Sequence, residues 1–285
     1  MTSDRIGRRD LERIGAEVAE GDWELLERLR AHRYLTSPQI ADFLFSDRPS
    51  DVAAIRAAHR QLKRVAGLGL IGELGARRVG GQRRGSAAAI WTLTSTGARL
   101  LDLRNRTESN RRRMIEPTYP FVQHALAVAD AHLVLIAAER SGAIRLAEVV
   151  IEPWCWRKYL SPVGVVVTLK PDMAAVTETA EFEDRWFFEV DRSTEAPSRV
   201  IAKCLQYQEY ARTGTEQDGH GVFPLVVWVT PDDERAEQLR RHLISENGVR
   251  RELFAVTTMA GLGDLISAPA PLIPTESGWE KGGVK

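Results

Sequence analysis

Apolar residues recur at intervals of three and four along the first hundred positions, the spacing of helices with one buried face. This pattern predicts three short helices: one after Asp22, one capped by Thr36 or Ser37, and one over residues 51–66. Two apolar strands, near residues 68–71 and 90–94, then enclose a basic stretch, and another helix opens at Ser95. Three helices, a two-stranded wing and a helix form the order of a winged helix-turn-helix.

The pattern of the second half differs, because extended apolar runs alternate with helical ones. Residues 121–140 predict a long helix, followed by an extended stretch near 149–151 and a hairpin that carries Asp172 and Glu189. The run 225–229 has no polar residue and is typical of a central strand buried on both faces. Helices over about 199–212 and up to 245, and a last strand at 253–257, complete an α/β unit with a mixed sheet.

These elements predict a protein of the α+β or α/β class with two domains. The expected layout is an N-terminal arm (1–21), the winged helix-turn-helix (22–104), a basic linker (105–116), the α/β domain (117–267) and a tail (268–285). The tail is rich in proline and glycine, so we expect it to be disordered.

The net charge of zero hides a strong asymmetry. Residues 1–113 carry 22 basic and 14 acidic side chains, a net charge of +8, and the remainder carries −8. A basic half joined to an acidic half is expected where one half meets nucleic acid. The two cysteines are far apart, and no apolar run approaches the roughly 20 residues of a membrane span. We therefore expect a soluble, cytoplasmic protein without a membrane partner.

The third helix is the natural recognition helix for duplex DNA. Wing arginines would then lie along the phosphates or in the minor groove. The alternative is a solvated basic surface on a module that contacts proteins. The candidate DNA-binding residues are Arg56, Arg60, Lys63 and Arg64 on the helix and Arg77, Arg78, Arg83 and Arg84 in the wing.

Strand alternation places Glu189 and Asp191 on one face of the second domain's sheet, about 7 Å apart. Two such carboxylates repel each other, so a divalent metal or a cation from the next helix should lie between them. Pro171-Asp172 followed by Glu189-Val190-Asp191 resembles the PD-(D/E)xK nucleases. The alternative is that Glu189 and Asp191 form a strip of surface ion pairs with Lys203.

The nuclease resemblance implies that Asp172 and Glu189 hold Mg²⁺ or Mn²⁺, which would activate water. Asp191 occupies the position of the usual lysine. Lys203 would restore the ammonium from the following helix, with Tyr207 on the same helix face. Asp191 would then assist as a third metal ligand. The alternative is that its presence makes the site inactive. His124, on the domain's first helix, is a candidate accessory residue.

The chain also resembles the replication-relaxation proteins of plasmids and other mobile elements over about residues 23–266. The most specific string is Phe188-Glu189-Val190-Asp191-Arg192, with Lys203 and Tyr207 after it. The resemblance implies a DNA-binding protein that acts in plasmid replication or mobilisation, and leaves open whether it is a metal-dependent endonuclease. The alternative is a non-catalytic regulator whose vestigial nuclease-like domain forms a homodimer or recruits replication or relaxase proteins.

Overall fold

The computed structural model describes residues 6–75, 88–107 and 117–268. Contacts divide the chain into two compact units, unit 1 (Met1–Leu133) and unit 2 (Val134–Lys285). The division falls inside the helix Tyr119–Arg140, so the first part of this helix packs with unit 1. The predicted second domain begins at residue 117 and so includes the whole helix. Most of the expected linker, and the expected tail after residue 268, lie outside the described residues.

Unit 1 is built from helices that begin at capping side chains. Thr36 and Thr94 accept hydrogen bonds from the backbone N–H groups of Gln39 (3.2 Å) and Gly97 (3.1 Å). Asp22, the predicted cap, instead lies within the first turn of its helix. The helices of this unit are α1 (Arg8–Glu17), α2 (Glu20–His32), α3 (Ser37–Leu44), α4 (Asp51–Gly67), α5 (Ser95–Asn105) and the first part of α6 (Tyr119–Arg140).

A small antiparallel sheet completes unit 1. Its strands are β1 (Leu35–Thr36), β2 (Ile71–Glu73) and β3 (Ile90–Leu93), in the order β1-β3-β2. Helix α5 begins so close to β2 that a Cβ on Gly97 would lie 2.1 Å from the carbonyl oxygen of Leu70. Only glycine fits at that position. The basic stretch predicted as the wing tip lies outside the described residues.

Two histidines form a buried pair inside unit 1. Nε2 of His32 and Nδ1 of His132 are 3.0 Å apart. Both rings pack against Phe43, with centroid separations of 5.1 and 5.3 Å. Because His132 belongs to α6, the pair attaches the first part of that helix to α2 and α3.

Unit 2 contains the predicted mixed sheet, in the order β10-β9-β8-β7-β4. β4, β7 and β8 pair antiparallel, whereas β8, β9 and β10 pair parallel. A separate two-stranded hairpin, β5–β6, lies between β4 and β7 in sequence and was not predicted. The strands are β4 (Arg145–Ile151), β5 (Arg157–Leu160), β6 (Val166–Leu169), β7 (Met173–Glu178), β8 (Glu183–Val190), β9 (Leu225–Thr230) and β10 (Phe254–Thr258).

Helices cover one face of this sheet and enclose its core. Phe187 of β8 and Val226 of β9 point into a cluster with Tyr207 and Leu239. These last two residues belong to the two longest helices that follow β8. The helices after β8 are α7 (Pro197–Ala211), α8 (Thr215–His220), α9 (Asp233–Ser245) and α10 (Leu262–Ser267), with a 3-10 turn at Arg251–Leu253.

One helix among the described residues, α6, is long and apolar enough to cross a membrane. The expectation that no apolar run approaches this length is therefore wrong for α6. However, 56% of its apolar window is buried inside the protein. The helix also carries His132, which contacts another buried side chain. These features are typical of the core helix of a soluble protein.

Candidate active site and nucleic-acid interface

Helix α4 presents a row of cations to solvent. Arg56, Arg60 and Lys63 are spaced four and three residues apart and are exposed, so they lie on one face. The opposite face buries apolar side chains such as Leu62 and Val65. Among the described residues, no acidic side chain forms an ion pair with these three cations. The helix thus leaves three adjacent positive charges for an anionic partner.

Arg64, the fourth predicted DNA-binding residue of α4, has a different environment. Its guanidinium donates to Asp22, with Nε 3.0 Å from Oδ2. Asp22 is fully buried and also accepts from Gln61 at 3.2 Å. The hydrogen bond from Arg64 to Asp22 is the main reason that the pKa of this arginine is raised. Arg64 therefore has an acidic partner in unit 1 and ties α4 to α2. Arg77, Arg78, Arg83 and Arg84 lie outside the described residues.

In unit 2, the predicted acidic residues lie on two adjacent strands. Asp172 immediately precedes β7, and Glu189 is near the end of β8. The register pairs Met173 with Phe188. The N–H of Asp172 donates to the carbonyl of Phe188 (3.1 Å), and Asp172 Oδ2 accepts from the N–H of Val190 (2.7 Å). The main chain on both sides of Glu189 therefore holds Asp172 in place.

The side chain of Glu189 is buried between two groups from α7. Lys203 Nζ contacts Oε2, and the hydroxyl of Tyr207 donates to Oε1 at 2.5 Å. Glu189 is only 2% exposed, whereas the Lys203 side chain is 26% exposed and so reaches solvent. The structure thus brings together Glu189, Lys203 and Tyr207. The spacing of four residues between Lys203 and Tyr207 positions both on the same helix face.

Burial and mutual charge control the protonation of this cluster. Burial raises the pKa of Glu189 to about 8; the Lys203 ammonium opposes the rise, and Asp172 adds to it. For Lys203, burial alone would lower the pKa, but the charges of Glu189 and Asp172 outweigh burial and raise it. Asp172 and Glu189 thus both act electrostatically on one ammonium.

Asp191 forms a separate ion pair. Arg235 of α9 donates from Nε to Oδ2 at 2.5 Å, and the N–H of Ser193 donates to Oδ1 at 2.9 Å. The side chains of Asp191 and Arg235 are 1% and 8% exposed. Both oxygens of Asp191 are therefore engaged away from Lys203. This partner was missed because 44 residues separate Asp191 from Arg235.

The Asp172–Glu189 pair has the chemistry of a small divalent-metal site. Among the described residues, no group of three or more His, Cys, Asp or Glu side chains has the spacing of a metal site. Mg²⁺, however, often uses one or two carboxylates and fills its other positions with water and substrate phosphate. The neighbouring Cys155 is buried, which raises the pKa of its thiol to about 12, so it stays protonated.

His124 belongs to unit 1, whereas Asp172, Glu189 and Lys203 belong to unit 2. It is half-buried, on the part of α6 that packs with unit 1. Gln206, another residue of α7, donates to the carbonyl of Thr168 at 3.2 Å and so supports the β5–β6 hairpin.

Neither a search of curated proteins nor a search of solved structures gives a match to this chain. A scan against protein-family models matches residues 26–226 to the replication-relaxation model. The match covers most of the chain, including α4 in unit 1 and Asp172, Glu189 and Lys203 in unit 2. The chain therefore belongs to the replication-relaxation family, which indicates a role in the replication or mobilisation of mobile elements.

Proposed function

We propose that the protein is a duplex-DNA-binding protein of a mobile element that acts in the cytoplasm, at an origin or transfer site. In this proposal unit 1 is a winged helix that places α4 in the major groove. The element order supports it, since α2, α3 and α4 precede β2 and β3. Unit 2 is a nuclease-like domain, whose three antiparallel strands, helix and parallel strand present Asp172 beside Glu189.

The exposed cationic row of α4 carries the proposal. Arg56, Arg60 and Lys63 occupy two turns of one helix face, a length that fits within a major groove about 12 Å wide. Their charges have no acidic partner in the described part of the chain, whereas Arg64 is paired with Asp22. DNA phosphates or base edges would supply the missing counter-charges.

Binding to a labelled DNA duplex at several salt concentrations tests this role. Replacing Arg56, Arg60 and Lys63 together by alanine should weaken binding by about tenfold or more and lower the salt dependence by about one unit per lost phosphate contact. Replacing Arg240 and Arg241 of α9 together by alanine removes two cations outside α4 and should leave the affinity unchanged. An unchanged affinity and salt slope in the triple variant would contradict the proposal.

The Asp172–Glu189–Lys203 cluster favours a second activity, metal-dependent cleavage of a phosphodiester. Asp172 and Glu189 would hold Mg²⁺, which supplies Lewis-acid stabilisation of developing charge and an activated water. Lys203 keeps its proton, because both carboxylates raise its pKa. Its ammonium is then available to a phosphate oxygen from the solvent-facing side, while Tyr207 orients Glu189.

Nicking of a supercoiled plasmid, with Mg²⁺, Mn²⁺ or EDTA, tests this activity. Asp172→Asn should abolish metal-dependent nicking and leave duplex affinity intact. Asp184→Asn, at the other end of β8, is the matched control and should nick normally. Equal nicking by the Asp172 variant would reject the site.

The competing role is that of a non-catalytic accessory protein, whose second unit forms a dimer or recruits a replication or relaxase protein. Two observations favour it: Asp191 is engaged by Arg235, and both oxygens of Glu189 already accept hydrogen bonds. Normal duplex binding without nicking or metal-dependent thermal stabilisation would support this role over the enzymatic one.

A further inference from the structure

Residues 153–171 leave the sheet of unit 2 and return to it at one point. The N–H of Glu152 donates to the carbonyl of Asp172 at 3.0 Å, which closes the excursion. Inside it, the thiol of Cys155 donates to the carbonyl of Pro171 at 3.0 Å. The enclosed segment contains the β5–β6 hairpin. We call it the hairpin insert; its base therefore adjoins Asp172.

The composition of the hairpin insert is opposite to that of its surroundings. From residue 114 onward the chain carries 25 acidic and 17 basic side chains. Residues 153–171 include no Asp or Glu, but they include Arg157, Lys158 and Lys170 and two tryptophans. A cationic, aromatic and acid-free segment in an acidic half fits an anionic partner that also offers flat apolar groups.

One face of the hairpin insert is packed and the other is exposed. Tyr159 and Leu169 are buried in the core of unit 2. On the outer face the cross-strand pair Leu160 and Val166 is 63% and 65% exposed, and Val163 at the tip is 82% exposed. Lys158 shares this outer face, because it alternates with Tyr159 along β5. The apolar tip therefore has a cation beside it.

The two tryptophans of the hairpin insert also differ in how exposed they are. Trp156 is half-buried, and the ammonium of Lys170 lies 4.8 Å from the centroid of its ring. Trp154 is 65% exposed. An exposed indole is a platform for a base, because a base stacks on the ring, and the lysines of the same segment can meet the phosphates of the strand.

We propose that the hairpin insert binds unpaired DNA bases beside the Asp172–Glu189 cluster, with Trp154 as the stacking platform and the apolar tip against a neighbouring base. The inference rests on the proposed role in DNA processing and specifies the strand state that unit 2 takes. Unpaired DNA is required because duplex bases are already stacked and present only their edges and phosphates. Duplex recognition remains with α4.

Anisotropy of a fluorescein-labelled oligothymidine strand, with the full-length chain, tests the assignment. Trp154→Ala should weaken its binding about tenfold, the loss expected for one stacked base. Double replacement of Val163 and Val166 by serine should weaken binding severalfold. Phe182→Ala removes another exposed aromatic residue (53% exposed) and should change nothing. Duplex affinity should be the same in all of these variants.

Three results would overturn the assignment. One is wild-type protein without affinity for oligothymidine. Another is binding that is lost in the α4 triple variant but kept in Trp154→Ala. The third is a dimer, seen by light scattering, that dissociates in the Val163/Val166 variant while strand binding persists, because the tip would then serve a second copy. A Trp154-dependent strand affinity in a protein that fails to bind duplex would support the hairpin insert and reject the role of α4 instead.

Discussion

The α4 face and the β8 site use charge in opposite ways. On α4, three cations stand in solvent without an acidic partner in the described structure, and their removal leaves the buried face of the helix unchanged. Glu189 at the end of β8 and Asp191 directly after it are nearly inaccessible, and each is bound by a cation from a different helix. Charge on α4 is free to serve binding, whereas charge at β8 also holds the sheet to α7 and α9.

This difference determines how variants are interpreted. A lost function after a change on α4 reports on the partner, because exposed side chains contribute little to stability. Loss of function after a change at β8 can equally result from unfolding, because removing one member of a buried ion pair leaves the other charge buried without a partner. Stability must therefore be measured beside every activity at β8.

The largest effect is expected for Arg235→Ala. The change leaves the Asp191 carboxylate buried without its cation, so the free energy of unfolding should fall by about 3–5 kcal/mol. Urea denaturation followed by circular dichroism measures this loss. Arg241→Ala, which removes an exposed cation from the same helix, should leave the midpoint unchanged. Equal midpoints for the two variants would show that the Asp191–Arg235 pair stabilises the fold no more than a surface charge does. The contrast between the β8 site and the α4 face would then not hold.

The His32–His132 pair gives the next largest effect and extends the comparison to the interior of unit 1. Burial lowers the pKa of His132 to about 3 and that of His32 well below its ordinary value of 6.5. The folded state therefore holds both rings neutral while the unfolded chain takes up protons below pH 6.5. The free energy of unfolding should fall as the pH decreases, by about 2 kcal/mol for His132 between pH 7 and pH 5, and His32 acts in the same direction.

Denaturation curves at both pH values check this dependence. His132→Gln should flatten it, whereas replacement of the exposed His59 by Gln should not. A pH dependence equal in wild type and His132→Gln would show that the buried pair does not control acid stability. The acid sensitivity of the chain would then have to arise from other titrating groups.

The smallest effect separates two neighbours on α4. Arg64→Ala should lower the free energy of unfolding by about 1–2 kcal/mol, because buried Asp22 loses its main partner, and should change duplex affinity little. Arg60→Ala should instead weaken duplex binding and leave the free energy of unfolding almost unchanged. Urea denaturation and DNA anisotropy on both variants give the four values. If Arg64→Ala weakened DNA binding as much as Arg60→Ala at unchanged stability, the Arg64–Asp22 pair would have no structural role.

Local pattern predicted most of the elements that position the candidate site. Strand alternation placed Glu189 and Asp191 on one face of the sheet, and the helix that follows β8 was expected to supply Lys203, which contacts Glu189. The mixed sheet is confirmed, and so is the family. These features depend on interactions between residues close in sequence, or on the periodicity of apolar positions alone.

The features that sequence did not predict depend on contacts between distant residues. The pairing of Asp191 with Arg235 and of Asp22 with Arg64 spans about 40 residues, and neither has a local signature. The β5–β6 hairpin was missed because its outer face carries valines and a leucine, so polar alternation does not mark it. Helix α1 was missed because six of its ten residues are charged and it buries only Leu11.

The hydrogen bond between Glu152 and Asp172 brings the two ends of the hairpin insert together beside the sheet. Since the chain departs and rejoins at one point, the register of β4 with β7 sets no limit on the length of the outer loop at Val163. Related chains could therefore differ in this loop and keep the same carboxylates on the sheet. Removal of the whole insert would instead open the core, because Tyr159 and Leu169 are buried in it.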